Sequence, residues 1–250
     1  MDLHIPELQP GKKIYFASDF HLGSPDLVSS IAREKKIVNW LKSITNDAQA
    51  LVLVGDLFDF WFEYKKSIPK GHIRFLGQLA TMADLGIPII VFVGNHDLWL
   101  KDYLKEQLGA NIIHHPKSFS LNDKKFYIAH GDGLDPKDKK FRAIKAVFTN
   151  PICQYLFRWL HPDIGIALAD WWSSKSKDSK LGQHEDQHLV DHSHKLHQNS
   201  PHDFYIYGDC HVARTETIEE GLYCNLGDWI HHYSYAEFDG KDLHLKRFQE

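Results

Sequence analysis

Cysteine is scarce in this chain, and its scarcity excludes a fold held together by disulfides. The three cysteines, Cys153, Cys210 and Cys224, are odd in number and irregularly spaced, which indicates a reducing compartment. No stretch approaches the roughly 20 apolar residues that a membrane-spanning helix requires. The N-terminus also lacks the basic start and apolar core of a secretory signal. We therefore expect a soluble cytoplasmic protein whose membrane contact is at most peripheral.

An excess of basic residues is also missing, since 29 Lys and Arg against 33 Asp and Glu give a formal net charge of −4. Proteins that bind nucleic acid by neutralising phosphates usually carry a clear basic excess, so we expect no nucleic-acid partner. The 250 residues, 43% of them hydrophobic, are enough to bury a full core. We expect one compact domain with an insertion.

Short β-branched or aromatic runs that end abruptly in Gly, Asp, Asn or His recur along the chain. Such runs are typical of buried strands, because helices need longer and differently spaced apolar patterns. The six runs, each with the polar segment that follows it, are "KIYFA" with "SDFHLG", "ALVLV" with "GDLFDFW", "PIIVFV" with "GNHDLW", "KFYIA" with "HGDGL", "FYIY" with "GDCH" and "GLYCN" with "LGDW". Helical patterns over residues 26–43 and 71–85 separate the first three runs, so strand and helix alternate as in layered α/β folds. Asp239-Gly240, between two alternating runs, predicts a hairpin at a sheet edge.

The recurrence of strand runs stops between residues 134 and 200. Long helical patterns rich in aromatics lead there into a Lys-, Ser- and His-rich stretch. We expect a core formed by residues 1–133 and 201–250, with an inserted helical cap over residues 134–200. Residues 135–180 contain nine Lys or Arg against five Asp, a surplus of four positive charges. This surplus points to an anionic ligand or surface, although the solvated face of a cap helix explains any single lysine equally well.

Side chains that bind metals follow the predicted strands. Asp19 and His21 are two residues apart, so at an extended strand end they project the same way and can bind one ion. Further oxygen and nitrogen donors follow separate strands, at Asp56, Asn95, His130 and His211. A carboxylate shared by two ions gives a dinuclear centre, which orients a phosphoryl group and offsets charge on the attacking and leaving oxygens. The pattern therefore predicts hydrolysis of a phosphate ester or pyrophosphate.

Each piece has an ordinary structural explanation when it is taken alone. Gly-Asp is a common turn, and a buried histidine is more often a hydrogen-bonded core residue than a ligand, with functional odds of roughly one in five. Five such pieces in a fixed order, each after a strand, favour the metal centre. His184, His188 and His192, four residues apart, permit a surface metal site, but a solvated helix is favoured by roughly four to one.

The series Asp-x-His, Gly-Asp, Gly-Asn-His-Asp, His-Gly-Asp and Gly-x-x-His resembles the calcineurin-like metallophosphoesterase superfamily. The resemblance implies a four-layer αββα sandwich and two divalent metal ions, commonly Mn²⁺, with Mg²⁺ as the alternative. It implies that the first ion is held by Asp19, His21, Asp56 and His211, and the second by Asp56, Asn95, His130 and Asp209. It also places His96 beside the phosphate as a catalytic residue, with Asp97 orienting it.

Within that superfamily the chain is similar to the UDP-2,3-diacylglucosamine pyrophosphohydrolases of lipid A biosynthesis. The motifs that carry this similarity include "GDLFDFW", "HGDGLDPKDKKFRAIK" and "LGDW". The similarity implies a UDP-linked acylated glucosamine lipid as substrate, with UMP and 2,3-diacylglucosamine 1-phosphate as products. It also implies contact with the inner membrane's cytoplasmic face. The substrate-binding residues implied are Asn95, His96, Asp138, Arg142, Ser174, Lys177 and Lys180.

An apolar face of the cap is implied to line an acyl pocket, through Phe141, Ile144, Phe148, Leu156, Phe157 and Trp171. Without the resemblance, an aromatic stripe at helical spacing is more often core than lipid site, by roughly two to one. The same residues therefore have two interpretations, and only the resemblance favours the acyl pocket.

Two positions depart from the expected motifs. His96 stands where many of these hydrolases have Arg, and Asp209 stands where the superfamily has a metal-binding His. Aspartate suits hard cations such as Mn²⁺ or Mg²⁺, so we read "GDCH" as an altered metal motif in which Cys210 points away and has no redox role. Two alternatives stay open: a phosphoesterase with another substrate, and a substrate-binding protein with an impaired second metal site.

Overall fold

The computed structural model describes residue 5 and residues 7–135, 139–165 and 186–249. The eleven strands in this part of the chain are β1 Lys13–Ala17, β2 Ala48–Val54, β3 Ile89–Phe92, β4 Asn111–Ile113, β5 Lys117–Leu121, β6 Lys124–Ile128, β7 Phe204–Tyr207, β8 Ala213–Ile218, β9 Gly221–Leu226, β10 Ser234–Phe238 and β11 Leu243–Arg247. The helices are α1 Leu27–Ile44, α2 Ile73–Asp84, α3 Tyr103–Leu108, α4 Lys139–Thr149, α5 Pro151–Arg158 and α6 Gln187–Asn199. All six predicted strand runs form strands.

The strands form two sheets. The first has the order β11-β10-β1-β2-β3-β4, with parallel pairing from β1 through β4 and antiparallel pairing of β10 with β1 and β11. The predicted Asp239-Gly240 hairpin joins β10 to β11 and closes one edge. The second sheet has the order β5-β6-β7-β9-β8, with a parallel centre formed by β6, β7 and β9. The carboxyl ends of the parallel strands carry the segments that form the site.

Side chains alternate between the two faces of each strand, and this alternation separates the core into layers. On β1, Phe16 points into the core between the two sheets, whereas Tyr15 packs toward the helices on the other face. Helices α1, α2 and α3 cover the outer face of the first sheet, and α6 covers the outer face of the second. The predicted layered α/β fold is therefore confirmed, with two sheets packed between helical layers.

Helix α6 lies within the sequence range of the predicted insertion and packs on the second sheet. Leu189 and Val190 are fully buried there against Tyr205 and Tyr207. His192 is half-buried and its Nε2 lies 3.2 Å from the Tyr127 hydroxyl, so this helix is not simply a solvated His-rich helix. Within the described ranges, no helix is long and apolar enough to cross a membrane.

Candidate metal centre

The predicted ligands lie together at the carboxyl ends of strands from both sheets. They follow β1, β2 and β3 in the first sheet, and β6 and β7 in the second. Backbone bonds join the segments, because the Asp19 N–H donates to the Gly55 carbonyl at 3.1 Å and the Gly208 N–H donates to the His130 carbonyl at 2.8 Å. The fold therefore brings together side chains that are far apart in sequence.

The backbone at these ligands is strained. Five of the ten described non-glycine residues with positive φ are predicted ligands: Asp19 (56°), His21 (43°), Asp56 (53°), Asp209 (65°) and His211 (55°). Left-handed φ is uncommon outside glycine, and it persists only where the surrounding structure enforces it. This concentration of strain at one place marks the cluster as a functional site.

The first group of ligand atoms surrounds Asp19. Its Oδ1 lies 3.3 Å from His211 Nε2 and 3.7 Å from His21 Nε2, and the two imidazole nitrogens are 3.1 Å apart. Ligand atoms bound to one divalent ion at about 2.0 to 2.2 Å are separated by roughly 2.8 to 3.6 Å. Two of the three distances fall in this range and the third, 3.7 Å, is close to it, so the three atoms are near the spacing of one cation's ligands.

A second group centres on Asp56, whose Oδ2 lies 3.6 Å from His21 Nε2 and 3.4 Å from His130 Nε2. The other oxygen, Oδ1, accepts the His96 N–H at 2.9 Å, which fixes the carboxylate plane. His130 Nε2 also lies 3.8 Å from Asp209 Oδ1. Asp56 therefore stands between the two groups, in the position of a shared ligand.

Three buried ligand atoms have no hydrogen-bond partner among the described residues: Asp19 Oδ1, Asn95 Oδ1 and His130 Nε2. Buried polar atoms are normally paired, so three such atoms in one cluster require a partner of another kind. His130 Nδ1 lies 2.7 Å from the Val54 carbonyl and donates to it, which leaves Nε2 with a lone pair for a metal. Carboxylate, amide and imidazole donors suit divalent cations, so the residues fit the two ions that the sequence predicts.

The charges around the candidate ligands also favour a positive charge at this place. Burial disfavours charged imidazole, but Asp19, Asp59 and Asp56 outweigh it and raise the pKa of His21 to about 9. Burial likewise opposes the charged form of His130, yet Asp56 raises its pKa well above the usual range. The carboxylates therefore favour positive charge at these imidazoles, and binding of a metal to them would release protons.

Two carboxylates outside the predicted set orient the ligand histidines. Asp59 Oδ1 lies 3.4 Å from His21 Nδ1, and Asp228 Oδ2 lies 3.6 Å from His211 Nδ1. Asp228 is fully buried and its Oδ1 also accepts the backbone N–H groups of residues 230–232. Such partners fix the ring orientation of metal-binding histidines. Both residues belong to recognised motifs, "GDLFDFW" and "LGDW", and this membership was the available signal for their role.

His96 and Asp97 occupy different places in the site. His96 Nδ1 lies 2.9 Å from the Asp59 carbonyl, its ring is edge-on to His21 at 4.8 Å, and burial lowers its pKa. The carboxylate of Asp97 accepts the Gly94 N–H at 2.7 Å and the Leu57 N–H at 2.8 Å. Burial, followed by the nearby charge of Asp56, raises the pKa of Asp97 to about 7. Asp97 thus ties together the segments after β2 and β3.

Motif glycines leave space for the ligand carboxylates. A Cβ on Gly94 would lie 2.2 Å from Asp56 Oδ1, and a Cβ on Gly208 would lie 2.6 Å from Asp19 Oδ2. Neither carboxylate can retreat easily because both are buried. Glycine is therefore required by the close approach of the backbone to the ligands.

An aromatic cluster joins helices α4 and α5 to the segments that follow β2 and β3, and it is formed by Phe60, Phe62, Trp99, Phe148 and Phe157. Trp99 packs on Phe148 at 5.5 Å and on Phe157 at 4.7 Å between ring centroids. Phe148 and Phe157, two residues of the predicted acyl-pocket face, thus face the core. Ile144 and Leu156 are exposed, and Trp171 and the side chain of Phe141 lie outside what the structure describes.

Of the substrate residues predicted in the cap, Arg142 is described, and it is exposed on α4. Asp138, Ser174, Lys177 and Lys180 lie outside the described residues. An ion pair between Asp132 and Lys145 links the segment after β6 to α4. Burial raises the pKa of Asp132 and Lys145 opposes this rise, so the pair holds α4 beside His130.

The surface of α5 and the residues after it is strongly apolar. Trp159 is 75% exposed and Ile152 69%, and Tyr155, Leu156 and Ile164 are exposed beside them. Single exposed apolar residues are ordinary, but a run of large ones over 13 positions marks an interaction surface.

Fold and site together define an α/β protein with candidate ligands for divalent cations at the strand ends of two packed sheets. The chain belongs to the calcineurin-like phosphoesterase family, whose sequence profile matches residues 12–213. The predicted membership is confirmed, and with it the activity class of a metal-dependent phosphoester hydrolase.

Individual relatives extend over nearly the whole chain. UDP-2,3-diacylglucosamine hydrolase of Porphyromonas gingivalis is 36% identical over 95% of this chain and 98% of its own length. The Haemophilus influenzae protein of the same name is 26% identical over 89% of this chain and 93% of its own length. Among solved structures, an archaeal phosphodiesterase aligns over 94% of this chain and 98% of its own, with 18% identity and a TM-score of 0.49.

Proposed function

We propose that this protein hydrolyses the pyrophosphate bond of UDP-2,3-diacylglucosamine and releases UMP and 2,3-diacylglucosamine 1-phosphate. The observation that carries the proposal is the position of Asp56, whose Oδ2 lies within 3.6 Å of ligand atoms in both groups. Two ions around one shared carboxylate suit displacement at phosphorus. The full-length similarity to hydrolases named for this lipid supports the choice of substrate.

Seven residues would hold the two divalent ions, Mn²⁺ by preference. Asp19, His21, Asp56 and His211 would bind the first, and Asp56, Asn95, His130 and Asp209 the second. When bound, the ions supply positive charge that offsets the negative charge developing on the phosphoryl oxygens. The ligand segments would supply the rigid placement that this chemistry needs. Strained backbone holds the ligand residues, and the carboxylates of Asp59 and Asp228 lie beside two of their imidazoles.

His96 would contact the phosphoryl group from beside the first ligand group. Its Nδ1–H donates to the Asp59 carbonyl, and Nε2 would be the nitrogen that contacts the substrate. Burial lowers the pKa of His96, and a bound diphosphate, which carries one negative charge on each phosphate, would counteract this and favour a proton on Nε2. That proton can bond to, or be given to, an oxygen that gains charge. Asp97 would support this residue by holding the segments after β2 and β3 together.

The cap would receive the rest of the substrate. We propose that the insertion spans residues 134–200, with α4 and α5 as its described helices and α6 as the element that returns to the second sheet. Arg142 and the lysines at positions 177 and 180, with Asp138 and Ser174, would contact the diphosphate and sugar. The exposed apolar side chains of α5 would cover acyl chains, since each buried methylene contributes about 0.8 kcal/mol.

The same surface would also serve for contact with the cytoplasmic face of the inner membrane. Exposed Trp159 and Ile152 supply apolar area, and the local basic surplus supplies attraction to anionic headgroups. Binding to anionic vesicles at low salt, weakened at high salt, is the expected behaviour.

The test is release of UMP from UDP-2,3-diacylglucosamine by the wild-type protein, titrated with Mn²⁺ and Mg²⁺. Release should require metal, and His96→Ala should lower turnover by about 10² to 10⁴ while metal content stays intact. UDP-glucosamine without acyl chains is the matched substrate control. Equal rates on the acylated and unacylated substrates would instead indicate a phosphoesterase with another substrate.

A second candidate is a substrate-binding protein with an impaired second metal site. The observation that favours it is Asp209, whose shorter carboxylate stands in for an imidazole and lies 3.8 Å from His130 Nε2. In that case the wild-type protein binds the lipid without hydrolysing it at any metal concentration, and Asp209→His restores turnover.

A further inference from the structure

We propose that His188, Asp209 and Cys210 form an accessory site for a soft divalent cation, Zn²⁺ by preference. One ligand atom from each residue lies within 4.8 Å of the other two, and all three side chains are half-buried. This group is separate from the two groups around Asp19 and Asp56, except that Asp209 reaches toward His130. The inference does not depend on the identity of the phosphoester substrate.

The position of His188 is fixed by the packing on both sides of it. Asp186, at the start of α6, is buried and its Oδ2 accepts the Arg214 Nε–H at 2.8 Å and the Tyr223 hydroxyl at 2.9 Å. Directly after His188, Leu189 is completely buried and approaches Gly131. The packing of these two neighbours therefore holds the His188 imidazole beside the "GDCH" segment.

The "GDCH" segment itself is held in an unusual turn. The Cys210 N–H donates to the Gly208 carbonyl at 2.8 Å, and φ is 65° at Asp209 between them. A three-residue turn with positive φ is rare and strained. The Asp209 N–H also donates to Asp19 Oδ2 at 3.1 Å, and Cys210 packs against the buried cluster beneath α6. Turn and packing together keep the carboxylate and the thiol next to the imidazole.

The donor set of one thiolate, one imidazole and one carboxylate is typical of zinc, with a solvent molecule as fourth ligand. Donor atoms around tetrahedral Zn²⁺ lie roughly 3.3 to 3.8 Å apart, so these side chains need to close by about 1.5 Å at most. Thiolate selects soft ions, whereas the oxygen and nitrogen donors around Asp56 suit Mn²⁺ or Mg²⁺. One chain would thus carry neighbouring sites of different metal preference.

Asp209 couples the accessory site to the metal centre. Its Oδ1 lies 3.8 Å from His130 Nε2, on the side of the proposed second ion. A carboxylate drawn toward Zn²⁺ at Cys210 is less available to that ion. Occupancy of the accessory site should therefore weaken binding of the second hard cation.

Cobalt(II) tests this proposal because only a thiolate ligand gives a sulfur-to-cobalt charge-transfer band in the near ultraviolet. The reduced full-length protein, held in excess Mn²⁺, would be titrated with Co²⁺ and the band recorded, and Zn²⁺ would then be added to displace it. We expect a band that saturates at one equivalent. Cys210→Ser should abolish it, His188→Gln should weaken Co²⁺ binding at least tenfold, and Cys153→Ser, the matched control, should leave it unchanged.

Absence of the band in the wild-type protein overturns the proposal without any variant. A band of equal strength in Cys210→Ser, or one that disappears in Cys153→Ser, overturns it as well. If Cys210→Ser proves unstable, Cys210→Ala supplies the same loss of sulfur without an unpaired hydroxyl. Loss of the band in either folded variant supports the site.

Discussion

The metal-free protein should lose stability as the pH rises, and bound metal should remove this loss. The pKa of His21 is about 9 in the folded protein, against 6.5 for an ordinary histidine. A raised pKa stabilises the fold fully below pH 6.5, and this contribution disappears as the pH rises through about 9. Between pH 6.5 and 8.5 the loss from this one group is about 2 kcal/mol. The raised pKa of His130 acts in the same direction.

Metal reverses this dependence because it binds the deprotonated imidazoles. Raising the pH then strengthens metal binding, and saturation at 100 times the dissociation constant adds about 2.7 kcal/mol of stability. The expected result is a free energy of unfolding that falls with pH in chelator but does not fall in Mn²⁺.

Urea unfolding at pH 6.5 and 8.5, with chelator or with Mn²⁺, measures both dependences. His21→Gln is the control, since it removes one titrating group and leaves others such as Cys224, whose burial raises its pKa to about 12. In chelator the variant should lose about 2 kcal/mol less than the wild type over this range. A metal-free wild type with pH-independent stability, or a variant with the same loss, would refute the assignment of His21.

Three further predictions concern the surroundings of the ligands. Gly94→Ala should abolish metal binding, measured by calorimetric titration with Mn²⁺, because the new Cβ would lie 2.2 Å from Asp56 Oδ1; retained affinity would contradict this. Asp59→Asn should lower Mn²⁺ affinity 10- to 100-fold in the same titration, since it removes the negative charge that lies 3.4 Å from Nδ1 of the ligand His21. Unchanged affinity would leave Asp59 without a role in metal binding. Lys145→Ala should lower the free energy of unfolding in urea by about 1 to 3 kcal/mol, because it leaves Asp132 buried and unpaired. Adding Asp132→Asn should recover part of this loss. Purely additive effects of the two substitutions would argue against the ion pair.

The central strands and the clustering of the candidate ligands at their ends were predictable from the sequence because each strand carried a local signal. Six apolar runs ended in polar motifs, and parallel strands bring their carboxyl ends to one edge. Sequence could therefore associate His21 with His211, although they are 190 residues apart. Short or half-exposed strands such as β4 and β8 had no such signal and were not predicted.

The roles of Asp59, Asp228 and His188 depended on tertiary packing and could not be read from residue spacing. Asp59 and Asp228 lie in recognised motifs, but only the structure brings them to the second nitrogens of ligand histidines. His188 was read as part of a solvated helix, because helical spacing does not reveal which face is covered by a sheet. The packing of Leu189 and Val190 decides that face.

The metal centre would also link the two sheets, because its candidate ligands come from both of them. Asp19 and Asp56 follow strands of the first sheet, whereas His130 and Asp209 follow strands of the second. An ion held by His21 and His211 would close a loop of about 190 residues, as a disulfide would, in a chain whose cysteines form no disulfide among the described residues. Coordination thus acts as a reversible cross-link, and chelation should loosen the packing between the sheets at the same time as it stops turnover.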